Sequence, residues 1–254
     1  MPEGHTIHRL ARHHRLALAG QRLAVSSPQG RFDADEVDGA VLEGTDAWGK
    51  HLFYEFEGER FVHVHLGIYG TFTEQPLPLP APRPTTRMRL VGDTVAYDLV
   101  GPTTCRVVGP AERDAVVARL GPDPLRRDAD PERAFRTLQR RRTPIGQALL
   151  DQTVVAGIGN VFRAEVLFVH GIHPLRPATA IDRPTWDELW ATLVRMLQAG
   201  VRAGRIVTVP RAEQHGGMTR YVYRNEHCLR CGTPVQRWDL AGRWAYACPR
   251  CQPG

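Results

Sequence analysis

Residues 228–251 read CLRCGTPVQRWDLAGRWAYACPRC and combine cysteines, arginines and aromatic residues in one short stretch. The cysteines form two Cys-x₂-Cys pairs with 16 residues between them: Cys228, Cys231, Cys248 and Cys251. Two such pairs place four thiolates around one tetrahedral ion, as in a zinc finger or zinc ribbon. We therefore predict one structural Zn²⁺ bound by these four cysteines.

The residues between the two cysteine pairs suit two short strands joined by a turn. Arg243 lies near the tip of this predicted hairpin, which covers residues 236–244. A guanidinium group at a hairpin tip is well placed to contact a phosphate. Taken alone, an arginine in a solvated turn is an equally good interpretation of Arg243.

The chain as a whole is basic and contains almost no lysine. The protein has 254 residues, a net charge of +6 and a pI of about 9.4, with 32 arginines and the single lysine Lys50. A basic balance favours an anionic partner, of which nucleic acid is the commonest, although many soluble proteins are mildly basic. Lysine is a compact point charge, so a lone lysine in an arginine-rich chain is a candidate phosphate ligand.

The sequence predicts neither a membrane span nor an export signal. Its apolar runs are short and interrupted, and the first residues, Met1 to His5, contain no apolar segment. We therefore expect a cytoplasmic protein, and this compartment disfavours two disulfides as the alternative interpretation of the paired cysteines. Cys105 lies in an apolar strand far from the pairs and is predicted to be a core thiol.

The first 110 residues predict one helix followed by short strands. Residues 4–19 have apolar residues at helical spacing and are followed by Gly20. The predicted strands are 52–56, 61–65, 88–91, 95–100 and 104–108. Residues 76–84 alternate proline with other residues and are predicted to form an extended surface loop. This half of the chain is predicted to be a β-sandwich or barrel.

A predicted linker at 111–125 leads into a helical half. The predicted helices are 131–140, 144–151, 161–170 and 185–199. Thr143 is the predicted N-cap of the second helix, and Asn160 that of the third. Thr185 and Glu188 have the spacing of a capping box at the start of the fourth.

Several short motifs occur in a fixed order along the whole chain. They are Met1-Pro2-Glu3-Gly4, Gly49-Lys50, His65 to Gly70, Leu149 to Gln152, Gly157 to Asn160 and the four-cysteine finger. No single motif is specific, but in this order and spacing they resemble the Fpg/Nei family of bacterial formamidopyrimidine-DNA glycosylases and endonucleases VIII. The resemblance extends from end to end of the chain.

The resemblance implies an α+β fold with DNA bound in a basic cleft between two domains. An N-terminal helix and β-sandwich would occupy residues 1–110, followed by the linker at 111–125. A helical domain with a helix–two-turn–helix motif would occupy residues 126–222, and the zinc finger residues 223–254.

The activity that the resemblance implies is that of a bifunctional DNA glycosylase and AP lyase. Removal of Met1 would leave Pro2 with a secondary α-amine, and α-amino groups have pKa values of about 7.7–8.0, well below that of lysine. The neutral amine would attack deoxyribose C1′ and expel the base, and the iminium formed would permit β- and δ-elimination of the two phosphates. Glu3 would transfer protons, and Lys50 would contact the phosphate beside the lesion.

Five further residues are implied to contact DNA: His65, Ile68, Tyr69, Asn160 and Arg243. His65 would contact the backbone, although a packed strand histidine is a fair alternative. Asn160 would cap its helix while the adjoining glycine turn approaches a phosphate. Arg243 would bind a phosphate near the lesion.

Two segments depart from the family pattern. Residues 144–147 lack a lysine that members often carry, and residues 101–105 replace the Arg-Arg-Phe type of segment that fills the flipped-base gap in the formamidopyrimidine branch. In the endonuclease VIII branch an earlier loop supplies this wedge, and Ile68 and Tyr69 are the candidates here. Oxidised pyrimidines are therefore the expected substrates, in preference to 8-oxoguanine.

Two other classes of function are alternatives. A non-catalytic damaged-DNA-binding paralogue would retain the finger but has no use for Pro2, Glu3 and Lys50, and a zinc-ribbon RNA- or protein-binding factor leaves the other motifs unexplained. We expect damaged DNA as the partner, a monomer, no membrane association, and a nucleoid-associated cytoplasmic location. Residues 204–224 are polar and glycine-containing, and we expect them to be mobile and to shape the lesion pocket.

Overall fold

The computed structural model describes residues 2–76, 78–214 and 217–254, and it combines helices with antiparallel sheets. The predicted α+β class is therefore confirmed. No helix in these residues has both the length and the apolar character needed to cross a membrane.

Contacts between Cα atoms divide the chain into two compact units. The N-terminal unit contains residues 2–3 and Ile7–Arg119, and the C-terminal unit contains Gly4–Thr6 and Leu120–Gly254. The division at residue 119 falls inside the segment 111–125.

Helix α1 (Gly4–Leu18) forms where the helical spacing predicts it. Ile7, Ala11 and Leu18 are buried along one side of α1, and this apolar stripe stabilises the helix by packing into the core of the N-terminal unit. The chain then turns at Gly20, whose φ of +82° lies in the left-handed region that glycine adopts without strain.

Two four-stranded antiparallel sheets follow α1. The strands are β1 (Ala24–Ser26), β2 (Leu42–Trp48), β3 (His51–Phe56), β4 (Arg60–His65), β5 (Thr71–Pro76), β6 (Thr86–Val91), β7 (Val95–Val100) and β8 (Thr104–Val108). One sheet has the order β1-β6-β7-β5 and the other β2-β3-β4-β8. The five predicted strands lie within β3, β4, β6, β7 and β8. Residue 77 of the predicted proline loop lies outside the described residues.

The core of the N-terminal unit lies between the two sheets. Every second residue of β3, namely Leu52, Tyr54 and Phe56, points into the core. These side chains lie in the same buried cluster as Met88 and Leu90 of β6. Burying each such large apolar side chain contributes about 1.5–3 kcal/mol. This shared core confirms the predicted sandwich.

The predicted core thiol belongs to this cluster. Cys105 is buried, and its Sγ lies 4.0 Å from the Met88 Sδ. Burial raises the pKa of the Cys105 thiol to about 12, so the group stays protonated and inert at neutral pH.

The same core contains a buried histidine. His14 of α1 is fully buried and its Nδ1 lies 2.6 Å from the Tyr54 hydroxyl. Burial, together with the neighbouring His13, lowers the pKa of His14 from 6.5 to about 3. The folded protein therefore keeps His14 neutral under conditions in which an unfolded chain would protonate it.

We expect this difference to make the N-terminal unit sensitive to acid. Between about pH 6 and pH 4 the unfolded chain binds a proton at residue 14 and the folded chain does not. Protonation of this group therefore lowers the free energy of unfolding by roughly 1.4 kcal/mol for each unit by which the pH is lowered. Urea unfolding at pH 7.5, 6 and 5 measures the slope. His14→Gln retains a hydrogen-bonding side chain without the titration and should show a flatter pH dependence. Equal slopes for the two proteins would contradict the assignment.

The segment 111–125, predicted as a linker, contains most of helix α2 (Pro110–Ala118) in its first half. Pro110 occupies the first turn, and the Gly109 N–H donates to the Glu112 carboxylate over 3.3 Å. The Arg113 guanidinium lies over the Phe61 ring at 5.8 Å, which holds α2 against β4.

The C-terminal unit contains four helices and a hairpin within its described residues. They are α3 (Pro131–Gln139), α4 (Ile145–Ala148), α5 (Asn160–Val169), α6 (Arg183–Ala203), β9 (Gln236–Leu240) and β10 (Arg243–Ala247). The fully buried Phe162 of α5 and Trp186 of α6 lie in one cluster with residues of α3 and α4. A second cluster joins Phe168 of α5 to the four-cysteine segment.

The predicted helix starts need correction. Thr143 does not cap α4, because Pro144 is itself extended (ψ 147°) and precedes the first helical residue, Ile145. Helix α4 also ends at Ala148 rather than at Asp151, whose carboxylate instead accepts the Thr153 N–H over 2.9 Å in the following turn.

The start of α6 also differs from the prediction. Its N-cap is Asp182, which accepts the Thr185 N–H over 3.0 Å, so Thr185 is the third residue of the helix rather than its cap. The helix consequently begins two residues earlier than predicted, at Arg183, and continues to Ala203.

Candidate functional site

The predicted catalytic pair lies at the start of α1. Pro2 is half-buried, and Glu3 is fully buried and occupies the N-cap position of α1 in extended conformation. The helix dipole therefore places its positive end beside both residues. A fully buried carboxyl group next to the chain terminus is unusual for an ordinary exposed terminus.

The next residues are held by the glycine turn that the sequence singled out. The Gly4 N–H donates to the Gly157 carbonyl over 2.8 Å, and a Cβ on Gly4 would lie 2.9 Å from the Gly157 Cα. Only glycine permits this approach. The His5 ring packs edge-on against Phe162 at 5.2 Å, and burial lowers the pKa of His5 to about 4.

Gln152 connects two of the sequence motifs to each other. Its side-chain oxygen accepts the Gly157 N–H over 2.9 Å, and its amide nitrogen donates to the Ile158 carbonyl over 3.0 Å. The motif ending at Gln152 therefore shapes the turn that contacts Gly4.

Lys50 lies in the two-residue turn between β2 and β3. Gly49 precedes it with a φ of +58°, and Trp48 and His51 are paired across the turn. Lys50 itself is half-buried. The tight turn fixes the backbone of Lys50, and its compact ammonium group suits contact with a single anionic group.

His65 belongs to a cluster of three histidines on the sheet next to Lys50. The His51 Nδ1 lies 2.8 Å from the His63 Nε2, and the His51 and His65 rings are 5.0 Å apart. Burial, with a smaller contribution from neighbouring histidines and cations, lowers the pKa of His51 to about 3 and that of His63 to about 4. Burial and Lys50 lower the pKa of His65 as well, so the cluster is neutral at neutral pH.

The predicted wedge residues form an exposed apolar loop tip. Ile68 is 49% and Tyr69 is 84% exposed, directly after β4. The loop is closed by the Gly70 N–H, which donates to the Leu66 carbonyl over 2.8 Å, and by the His65 Nδ1, which accepts the Gly67 N–H over 3.1 Å. Large exposed apolar side chains on a rigid loop are typical of a binding surface.

Asn160 is not a helix cap, which corrects the prediction. It is the first residue of α5, and the N-cap is Gly159, in extended conformation. The Asn160 side-chain amide instead donates to the Trp244 carbonyl over 3.1 Å and accepts a hydrogen bond from Arg163. Tertiary contact with the hairpin thus replaces local capping.

Arg163 is a site residue that sequence reasoning missed. It is fully buried and donates to the Gly146 carbonyl over 3.0 Å and the Trp244 carbonyl over 2.9 Å. Arg163 and Asn160 are one helical turn apart, and together they fasten the hairpin to the start of α5. Their i, i+3 spacing was the available signal, but it does not distinguish buried from exposed arginine.

Arg243 lies where it was predicted, at the tip of the β9–β10 hairpin. The turn uses Ala241 and Gly242, both with positive φ, and the Gly242 N–H donates to the Asp239 carboxylate over 3.1 Å. Arg243 is the first residue of β10 and is exposed.

The four paired cysteines converge on one point. The four Sγ atoms all lie within 4.8 Å of one another. The Cys231 Sγ lies 3.5 Å from the Cys248 Sγ and 3.6 Å from the Cys251 Sγ. A tetrahedral ion with metal–sulfur bonds of about 2.3 Å requires sulfur–sulfur separations of about 3.8 Å. Disulfide bonds need about 2.05 Å, so the arrangement fits a thiolate-bound metal ion and not two disulfides.

We expect metal removal to unfold the finger and to weaken DNA binding strongly. A small four-cysteine unit derives much of its folding free energy from the metal, about 10–16 kcal/mol in isolated zinc fingers. The Cys231→Ser variant should contain less metal by elemental analysis and bind DNA weakly. Cys105→Ala is the matched control and should retain both metal and binding. Full DNA affinity in metal-free Cys231→Ser protein would overturn this expectation.

Glu165 of α5 is a second residue that the sequence did not reveal. It is fully buried, and its carboxylate accepts the N–H groups of Tyr221, Val222 and Tyr223 over 2.6, 2.9 and 2.9 Å and the Thr208 hydroxyl over 2.5 Å. These bonds order parts of the segment 204–224 in which mobility was expected. The expectation is therefore wrong for residues 208 and 221–223, and residues 215–216 lie outside the described residues.

Two family models and several curated proteins match the chain. The family model "Formamidopyrimidine-DNA glycosylase N-terminal domain" matches residues 1–102, and "Formamidopyrimidine-DNA glycosylase H2TH domain" matches residues 120–211. The curated "Endonuclease 8 1" of Mycobacterium tuberculosis is 48% identical over 99% of this chain and 100% of its own length. "Probable endonuclease 8 2" of Streptomyces coelicolor is 35% identical over 100% of this chain and 95% of its own.

Solved structures show the same fold. The complex of Lactococcus lactis Fpg with DNA containing an abasic site matches with a TM-score of 0.81 at 22% identity, covering 99% of this chain and 100% of the other. MutM bound to DNA containing carbocyclic 8-oxo-G matches with a TM-score of 0.83 at 23% identity over 100% of both chains. With both domains matched and a relative 48% identical over nearly its whole length, the chain belongs to the Fpg/Nei family of DNA-repair glycosylases, close to the endonuclease VIII branch.

Proposed function

We propose that this protein is a bifunctional DNA glycosylase and AP lyase that removes oxidised bases, with oxidised pyrimidines as its preferred substrates. The observation that carries the proposal is the arrangement at the start of α1. Pro2 follows Met1, the next residue is the fully buried Glu3, and Gly4 is hydrogen-bonded to the Gly157 turn. A protein that only bound DNA would have no need of this arrangement.

The chemistry starts at the amine of Pro2 after removal of Met1. The nitrogen lone pair forms a bond to deoxyribose C1′ while the C1′–base bond breaks and the base leaves with its electron pair, protonated on departure. The attached nitrogen then loses its proton, and the C1′–O4′ bond breaks as O4′ is protonated, so the sugar ring opens to an iminium ion, which draws electrons from the sugar. Loss of a proton from C2′ then expels the 3′ phosphate, and a later proton loss from C4′ expels the 5′ phosphate. Glu3 donates and accepts the protons of these steps.

The DNA contacts of the proposal lie on rigid elements. Lys50, in its tight turn, would neutralise the phosphate beside the lesion, while His65 as a neutral imidazole would donate to the backbone. Asn160 and Arg243 would act together, because the Asn160 side chain holds the carbonyl of the residue after Arg243. The exposed Ile68 and Tyr69 support a wedge from the loop after β4, and hence the preference for pyrimidines.

The remaining parts of the proposal concern the finger, the partner and the setting. The four cysteines would bind one structural Zn²⁺, and damaged DNA would be the partner of a monomer in the cytoplasm, associated with the nucleoid. We retain residues 1–110, 126–222 and 223–254 as the proposed domains, joined by 111–125.

Borohydride trapping tests the proposal directly. Protein processed to Pro2 is mixed with a duplex oligonucleotide bearing one abasic site, one oxidised thymine or one 8-oxoguanine, and sodium borohydride is added. We expect a covalent protein–DNA adduct that maps to Pro2 by peptide mass analysis, with more adduct from oxidised thymine than from 8-oxoguanine.

The control variant Glu43→Gln changes an exposed carboxylate of the same unit and should give the same yield of adduct. Intact DNA binding with no adduct on any lesion would favour the non-catalytic damaged-DNA-binding paralogue instead.

A further inference from the structure

Trp244 lies in strand β10 of the hairpin, and its indole side chain is exposed. It is 54% exposed, whereas Trp186 is fully buried and Trp190 is 8% exposed. Tryptophan carries the largest apolar side chain, so leaving half of it in water forgoes a large part of its burial energy. Such a residue on a rigid element is typical of a binding surface.

The backbone of Trp244 is held from the side of α5. Its carbonyl oxygen accepts hydrogen bonds from the Asn160 side-chain amide over 3.1 Å and from the Arg163 guanidinium over 2.9 Å. Trp244 is also paired with Asp239 across the hairpin. The indole is therefore presented by a fixed backbone, and ordering it on contact with a ligand costs little conformational entropy.

One side of the indole is already covered by a cation. The Arg237 guanidinium lies 5.6 Å from the centre of the Trp244 ring, and Arg243 is the preceding residue. The exposed fraction of the ring leaves apolar surface open to solvent. A flat ring supported on one side by a cation fits a ligand that is both aromatic and anionic.

We propose that Trp244, supported by Arg237, stacks on an unpaired nucleobase of single-stranded DNA. Bases within a duplex cover both faces with their neighbours, so only an unpaired base offers a face to the indole. The arginines would contact the phosphates on either side of that base. This proposal rests on the proposed function because it takes DNA as the ligand. It adds to the contacts at Pro2 a separate contact with DNA, made by Trp244.

Two substitutions separate stacking from simple apolar contact. Trp244→Phe retains an aromatic face, whereas Trp244→Leu retains apolar volume without one. Affinity for a 12-nucleotide oligo-dT is measured by fluorescence anisotropy in the full-length metal-loaded protein and compared with affinity for a blunt duplex of equal length. Leu16→Ala, which removes a 78% exposed apolar side chain in the other unit, is the control.

We expect Trp244→Leu to weaken binding of the single strand about 5- to 150-fold, with a smaller effect on the duplex. Trp244→Phe should restore most of the affinity, and Arg237→Met should give an intermediate loss. Binding of oligo-dT should quench the tryptophan fluorescence of the wild type, and Trp244→Phe should lose this part of the signal. Unchanged metal content and melting temperature show that each variant is folded.

The proposal is overturned if Trp244→Leu binds the single strand within about twofold of the wild type. An equal loss on single strand and duplex also overturns it, because it would indicate contact with the sugar–phosphate backbone. A different result would refute the proposed function: no borohydride adduct while Trp244-dependent binding persists would describe a protein that binds unpaired DNA without cutting it.

Discussion

Replacing Glu3 with glutamine is expected to lower the rate of base excision by about 10²- to 10⁴-fold while DNA affinity changes little. This range is what a positioned proton-transfer group contributes to a reaction. Glutamine has nearly the same shape as glutamate, so the fully buried position at the N-cap of α1 can accept it. What it lacks is a titratable oxygen to move protons to and from the sugar.

The measurement is single-turnover excision of oxidised thymine from a duplex oligonucleotide, with binding measured separately on an abasic-site analogue. Pro2→Gly should also lower base excision and strand cutting, because glycine lacks the ring that fixes the amine. Glu43→Gln is the matched exposed control. If Glu3→Gln and Pro2→Gly both cut like the wild type, the assignment of catalysis to the chain terminus is wrong.

Replacing Glu165 with alanine is expected to destabilise the C-terminal unit by about 3–5 kcal/mol. The carboxylate is fully buried and accepts three backbone N–H groups and one hydroxyl. Alanine would leave these donors without an acceptor in the protein interior, and each such loss is costly. The segment containing Tyr221 to Tyr223 would also lose its connection to α5.

Glu165→Gln should lower the free energy of unfolding by a smaller amount, about 1–3 kcal/mol. The one remaining oxygen of its side chain cannot accept all four hydrogen bonds. Urea unfolding followed by tryptophan fluorescence measures both changes, since Trp186 and Trp190 lie in the core of the C-terminal unit. Glu188→Ala removes a glutamate of α6 with a 76% exposed side chain and should change stability by less than about 0.5 kcal/mol. A cost below about 1 kcal/mol for Glu165→Ala would show that the donors find other partners.

The sequence predicts that a helix is present more reliably than it predicts the residue at which the helix begins. The existence of α3, α5 and α6 follows from apolar spacing, but their first residues do not. Thr185 satisfies the local capping pattern as well as Asp182 does, and the structure selects Asp182. Caps depend on a balance of about 1 kcal/mol, which packing of the rest of the helix easily reverses.

Helix α2, inside the predicted linker, escaped the sequence analysis for a related reason. Pro110 starts α2, whereas prolines further along occur in an irregular segment. Proline is compatible with both, because it is favoured in the first turn of a helix and excluded from its interior. The contact of Arg113 with Phe61 decides between them, and it joins residues that are far apart in the chain.

The sequence by itself determined the four-cysteine cluster, the α+β class, the strand-rich first half and the resemblance from Pro2 to Cys251. These follow from local spacing: a Cys-x₂-Cys pair folds onto one ion, and strand alternation places every second residue in the core. Only the tertiary structure decided that Asn160 holds the hairpin instead of capping α5, that Arg163 and Glu165 are buried, and that the histidines beside Lys50 are neutral. The physical reason is that burial and hydrogen-bond partners depend on residues brought together from distant parts of the chain, as Asn160 and Trp244 are, 84 positions apart.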